Sequence, residues 1–210
     1  FFIMVFYTPA AAQQRAIPDS LTKRLTELKT RFSFTPENDT LALLISENYL
    51  TLDQLDSARK YVEISITIND KNPAVYNQMG RIFLAGGKYK INPVQKVMDL
   101  LNIDNLSRAE KNFKRAIVMD TTYLDPGYYL GYTFLEKGGL EAYKRGENSE
   151  FGNDEYLRAL ECFERIYVRD STFKDIEYSL GLVYQHLKRY EKATTFFEKA
   201  LEREVSVSES

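Results

Sequence analysis

Tryptophan is absent from this chain, and cysteine and histidine occur once each, at Cys162 and His186. A Ser-His-acid or Cys-His arrangement therefore has a single available base, and it lies far along the sequence from Cys162. A metal site of imidazole and thiolate lacks ligands for the same reason. The lone cysteine excludes an intramolecular disulfide, and its place one residue before Phe163 in an apolar stretch suits a small side chain filling core space. An excess of one charge sign is also missing. The formal net charge is −2 with both signs interspersed, which offers phosphates no basic face, so neither nucleic acid nor an anionic membrane is an expected partner. No apolar run approaches the roughly 20 residues of a bilayer span, so no stable membrane span is expected. A phosphate loop fails too, because Ile82 holds the first glycine position before Gly87-Lys88, and Tyr89 stands where Ser or Thr is required. Carboxylate pairs such as Glu161/Glu164 belong to charged helix faces. No catalytic residue, metal or cofactor is expected, and the chain is not read as an enzyme.

What the chain does contain is a recurring pattern. Met79-Gly80-x-x-Phe83 and Leu180-Gly181-x-x-Tyr184 each precede a stretch of alanines around a phenylalanine, Ala109/Phe113/Ala116 and Ala193/Phe197/Ala200. Glycine and alanine at helical spacing let two antiparallel helices approach closely while large side chains fill the remaining gaps. A unit of this kind cannot bury its face alone, so neighbours must stack. Tyr76 follows Ala42 by 34 positions, which sets the period. On these residues the chain resembles the tetratricopeptide repeat family. The resemblance implies an all-α fold, a right-handed α-solenoid of helix-turn-helix units. Four units are placed at about 39–72, 73–123, 124–173 and 174–207. The first is the most divergent, with Ser46 and Ser65 replacing the family's glycine and alanine.

Phe1–Tyr7 is apolar and runs into Thr8-Pro9-Ala10-Ala11-Ala12, which reads as the end of a secretory signal peptide (residues 1–12) cleaved after Ala12. The expected location is therefore exported, periplasmic or extracellular, with the cytoplasm as the alternative. Residues 13–38 are expected to form a capping helix and linker: Leu21, Leu25, Leu28 and Phe32 share one helical face, and Thr35-Pro36 ends it. Residues 208–210 are a tail.

The second and third units carry insertions between their helices. Tyr184 and Ala193 are nine positions apart, whereas Phe83 and Ala109 are 26 apart and Phe134 and Ala159 are 25 apart. Each insertion follows a glycine pair, Gly86-Gly87 or Gly138-Gly139, suited to a left-handed helix cap. The first is expected to hold a short extra helix over Asn92–Leu101, with Val94, Val97, Met98 and Leu101 on one face. The second, Leu140–Asp154, reads as partly helical and then a flexible loop. Insertions at equivalent corners should be neighbours along one edge, either as a binding feature or as tolerated surface chain.

In this family the first helix of each unit lines a concave surface. The resemblance places Asn77, Gln78 and Arg81, then Tyr128, Tyr129 and Tyr132, then Tyr178, Gln185 and His186 along it. Tyrosine brings contact area with a polar tip and arginine pairs with carboxylates, which suits a peptide or protein partner; the same tyrosines equally suit packing between units. Leu43, Leu44 and Glu47 in the first unit do not fit the Lys/Asn/Arg set with which some relatives hold a C-terminal carboxylate. The expected function is a non-catalytic protein-interaction scaffold. The alternatives are the regulatory or targeting part of a larger exported enzyme, and a tyrosine-lined groove for cell-wall glycan.

Overall fold

The computed structural model describes residues 19–87, 98–145 and 152–208, and these form a right-handed all-α solenoid. The expected signal peptide of residues 1–12 lies outside the described residues, as do 88–97 of the first insertion, 146–151 of the second and the end of the tail. Helix α1 (Asp19–Phe34) is followed by four helix pairs: α2 (Asp39–Thr51) with α3 (Leu55–Ile68), α4 (Pro73–Gly87) with α5 (Met98–Met119), α6 (Leu124–Arg145) with α7 (Asn153–Arg169), and α8 (Ile176–His186) with α9 (Tyr190–Ser208). Every helix packs on the next in sequence, and α4 also touches both α2 and α6. The first helices of successive pairs therefore lie side by side.

One contact recurs inside the pairs. The rings of Phe113, Phe163 and Phe197 lie directly over Gly80, Gly131 and Gly181, where an added Cβ would stand 2.5 Å from the ring carbons in all three cases. Phe113 and Phe163 are fully buried, and each such side chain contributes about 1.5–3 kcal/mol through burial. The turns between pairs repeat as well. The Oδ1 of Asp120 accepts from the backbone N of Thr122 at 2.8 Å, and the Oδ1 of Asp170 accepts from that of Thr172 at 2.9 Å. In the first unit the serines replace close approach with hydrogen bonds. Ser46 Oγ donates to the Ala58 carbonyl at 2.8 Å and Ser65 Oγ to the Asp39 carbonyl at 2.9 Å.

Helix α1 packs on α2 through Leu28, which joins Leu41 and Ile45 in a small cluster flanked by Leu25 and Phe32. Asn38 opens α2 as its N-cap, its Oδ1 accepting from Leu41 N at 2.9 Å.

The insertions depart from expectation. Neither glycine pair is left-handed: Gly86-Gly87 closes α4 and Gly138-Gly139 lies inside α6. Close packing explains two of these glycines, since a Cβ on Gly87 would stand 2.9 Å from Leu106 and one on Gly138 2.5 Å from Tyr156. Gly139 meets no neighbour. The left-handed glycine is instead Gly152, at φ 100°, just before α7. No separate helix is seen in the described part of the first insertion. Met98–Leu101 begins α5, while Asn92–Val97 lie outside the described residues. The start of the second insertion, Leu140–Arg145, extends α6. The two extensions adjoin, with Leu106 and Leu140 buried and a small cavity of about 170 Å³ between them that Glu141 and Glu155 also line.

Candidate functional site

Five of the helices meet around a tyrosine cluster on the face formed by the first helices. Tyr128, Tyr129 and Tyr132 come from α6, Leu84 from α4, and Lys174 and Asp175 from the turn before α8; together they line a cavity of about 340 Å³. Phe113 of α5 stacks on Tyr129 with centroids 6.0 Å apart, and Phe163 of α7 meets Tyr132 edge-on at 5.4 Å. Helical spacing brings Tyr128 and Tyr132 one turn apart, and their rings meet edge-on at 5.1 Å.

Hydrogen bonds tie this cluster to the next unit. The Tyr128 hydroxyl donates to Asp175 Oδ1, and Tyr132 OH pairs with Ser179 Oγ at 2.8 Å. Burial, followed by the Asp175 bond, pushes the Tyr128 phenol far above its ordinary range; burial raises Tyr132 too. Both are thus neutral donors at physiological pH. The Lys174 ammonium lies 4.9 Å from the Tyr128 ring, 4.4 Å from Tyr129 and 5.4 Å from Phe173, and it also donates to Asp125 Oδ1 and to Tyr129 OH. Lys174 holds a left-handed backbone with φ 49°, which turns the chain into α8.

Arg81 flanks the other side of the cluster. Its guanidinium lies 5.1 Å from the Tyr129 ring centre, donates to Gln78 Oε1 at 3.0 Å, and stands 4.0 Å from Glu47. Arg81 and Lys174 thus bracket Tyr129 with two partly exposed cations.

Not every residue expected on this face is there. Asn77 and Gln78 are 4% and 1% exposed, so they belong to the interior. Gln78 Nε2 donates to Ser46 Oγ at 3.2 Å and so couples the first two units, and Asn77 Nδ2 donates to Tyr123 OH at 2.9 Å and so ties α4 to the turn that leads into α6. The cause is reach: Arg81, one turn on and on the same side of α4, extends its longer side chain past Gln78 to the Tyr129 ring, while Asn77 and Gln78 end on Tyr123 and Ser46. Burial, then the nearby Asp125 carboxylate, raises the Tyr123 phenol to about 12. Tyr178 borders a second, larger groove beside Phe197, while Gln185 is exposed on α8 and lines neither cavity. His186 is exposed at one edge but stacks on Tyr156. Lys174 and Asp175 were not anticipated. The Asp-x-Thr turns that place them recur at Asp120 and Asp170, and that repeat was the available signal.

Among the described residues, no group of three or more His, Cys, Asp or Glu is placed to hold a metal ion, and no helix is long and apolar enough to cross a membrane.

A tetratricopeptide repeat model matches residues 178–204. The structure is similar to that of MamA, at 20% identity and a TM-score of 0.60 over 91% of this chain and 93% of that one. It is also similar to the tetratricopeptide protein TTC0263 of Thermus thermophilus, at 15% identity and a TM-score of 0.68 over 88% and 83%. A third similar structure is the human IFIT1 dimer with m7Gppp-AAAA, at 17% identity and a TM-score of 0.66 over 84% of this chain and 36% of that one. No curated protein matches the sequence. One unit thus matches the tetratricopeptide repeat in sequence, and the fold is that of tetratricopeptide-repeat structures. The fold is typically that of a non-catalytic interaction module.

Proposed function

We propose that this tetratricopeptide-repeat solenoid is a non-catalytic scaffold that binds an extended segment of a partner protein along the face of its first helices. The cleft bracketed by Arg81 and Lys174 is its anchor point. The observation that carries this reading is the half-buried ring of Tyr129 between two partly exposed cations, beside a cavity of about 340 Å³. An aromatic wall supplies contact area at little cost in side-chain entropy, and the cations supply directional pairing to carboxylates or backbone carbonyls. Short segments with an acidic residue next to an apolar one match that lining. Export, read from Phe1–Ala12, belongs to the same proposal, and recovery of the chain in the cytoplasm of its host would count against it.

The test is selection from a displayed random-peptide library on the folded chain, repeated on Arg81→Ala and Tyr129→Ala with helicity checked by circular dichroism. Enriched peptides should lose at least tenfold in affinity on both variants, about 1.4 kcal/mol. Peptides that bind both variants as well as the parent would sink the assignment.

A further inference from the structure

The seams between neighbouring units repeat one arrangement of positions with different charges. In each unit after the first, the residue before the second helix's alanine carries a cation over the aromatic ring of the first helix. Arg108 lies 5.6 Å from the Phe83 ring centre, Arg158 4.2 Å from Phe134 and Lys192 5.3 Å from Tyr184. The preceding unit contributes to each seam the residue that follows its own alanine: Arg59 after Ala58, Glu110 after Ala109 and Leu160 after Ala159. At the second seam the charges match, since Glu110 accepts from Arg158 Nη2 at 3.1 Å and from Lys137. At the third, Leu160 is buried and no charge needs a partner from that side. The first seam is different. Arg59 stands where Glu110 stands one unit on, 5.1 Å from the Phe83 ring, so two guanidinium groups share one ring with no carboxylate between them.

We propose that the seam between the first two units is a recognition site for an acidic side chain of a partner protein, whose carboxylate takes at Arg59 and Arg108 the place that Glu110 takes one seam later. The Nε of Arg59 is buried without a hydrogen-bond partner, and a buried donor left unpaired is costly until something accepts from it. Among the described residues Arg59 forms no ion pair. The elements packed around it bring no spare carboxylate: α4 has no acidic residue, Asp104 of α5 is held by Arg108 at 2.8 Å, and Glu110 is taken up by Lys114, Lys137 and Arg158. The chain that follows α4, residues 88–97, adds Lys88, Lys90 and Lys96 and no Asp or Glu. Because Asp104 offsets Arg108, the uncompensated charge at the seam is that of Arg59. That suits a singly charged carboxylate, which the guanidinium fork can bind through two parallel N–H bonds, better than a doubly charged phosphate. The site shares no residue with the cleft at Tyr129.

The test is a displayed peptide library with one Glu fixed among random neighbours, selected on the intact chain carrying Arg81→Ala so that the cleft at Tyr129 is weakened. Selected peptides should lose at least tenfold in affinity when Arg59→Leu is added to the chain, and again when their fixed Glu is changed to Gln. Leucine is the chosen replacement because Leu160 holds the corresponding place, buried, at the third seam. The thermal midpoint of Arg59→Leu alone should therefore stay within about 4 °C of the parent's. A larger fall would mean that residues of this chain already employ the Arg59 charge, and it overturns the proposal. Failure to enrich any peptide, or peptides that bind Arg59→Leu as tightly as the parent, overturns it too. Inorganic phosphate held at Arg59 more tightly than any selected peptide would give the seam to a free ion, and a dimer in sedimentation that Arg59→Leu dissolves would give it to a second copy; either result also overturns the proposal. None of these outcomes bears on the cleft at Tyr129, which selection against Arg81→Ala and Tyr129→Ala decides separately.

Discussion

Gly131 lies so close beneath the ring of Phe163 that a Cβ on it would stand 2.5 Å from Cε1. The first unit solves the same contact differently, with Ser46 in the glycine position and Val62 in the phenylalanine position, both fully buried. Gly131→Ala is therefore expected to lower stability by about 1–3 kcal/mol through overpacking. The double variant Gly131→Ala/Phe163→Val should cost less than the sum of the two single changes, because the smaller side chain vacates the space the methyl needs. Urea denaturation of the four proteins measures this, and an alanine at 131 that leaves the midpoint unchanged would refute the close-approach argument.

The helix pairs were legible in the sequence because their cause is local. Small residues at fixed spacing and a period of 34 positions speak directly of close-packed helices. The glycine pairs misled because glycine serves two purposes: at Gly87 and Gly138 it admits Leu106 and Tyr156 instead of reversing the chain. Which residues reach the open face was only partly legible. Arg81, Tyr129 and Tyr132 keep partial exposure, but Tyr128 is buried against Phe173 and Asp175, and Asn77 and Gln78 turn inward, since an inward position takes a polar side chain when a neighbour such as Asp175, Tyr123 or Ser46 satisfies it. Lys174 and Asp175 sit in a turn, outside any helical periodicity, so a search along helix faces passes over them.

Glu110 joins three helices. It accepts from Lys114 Nζ at 2.6 Å on its own helix, from Lys137 on α6, and from Arg158 Nη2 on α7 at 3.1 Å. Burial alone would raise its carboxyl, but the bonds from Lys114 and Lys137 outweigh that and hold it at about 2, down from 4.5. A depressed carboxyl stabilises the fold above the unfolded value and loses that contribution as pH falls through the folded one. Glu110→Gln should therefore be less stable than the parent at pH 6, with the gap closing between about pH 4.5 and about pH 2. Thermal denaturation across that range checks it; a gap that does not depend on pH would mean the carboxylate charge contributes nothing.

His186 is the single histidine, and its ring stacks on Tyr156 at 4.7 Å with the planes 16° apart. The stacked face is shielded although the residue is exposed at one edge, and that partial burial lowers its pKa below the ordinary 6.5. The unfolded chain then takes up the proton first, so this group's contribution is complete above about 6.5 and declines as pH falls from there toward the lower folded midpoint. One imidazole resonance reports it without assignment. A proton NMR titration should place the midpoint below 6.5, and a midpoint at or above that value would show the ring to be open to water.

Cys162 offers the same advantage of a unique probe. Its thiol packs against the main core on α7, and burial, then the neighbouring Glu161 carboxylate, pushes it up to about 12. Only the thiolate attacks a disulfide reagent, so at pH 8 the folded chain should react roughly a thousandfold more slowly than a free thiol. In urea the reaction should return to the free rate. Cys162 is partly exposed on α7, so what slows the folded reaction is the scarcity of thiolate and not a helix that must lift. The folded rate should therefore keep rising about tenfold per pH unit above pH 8, where a free thiol levels off. Labelling at the free-thiol rate without denaturant would mean that its surroundings do not hold the thiol in its protonated form.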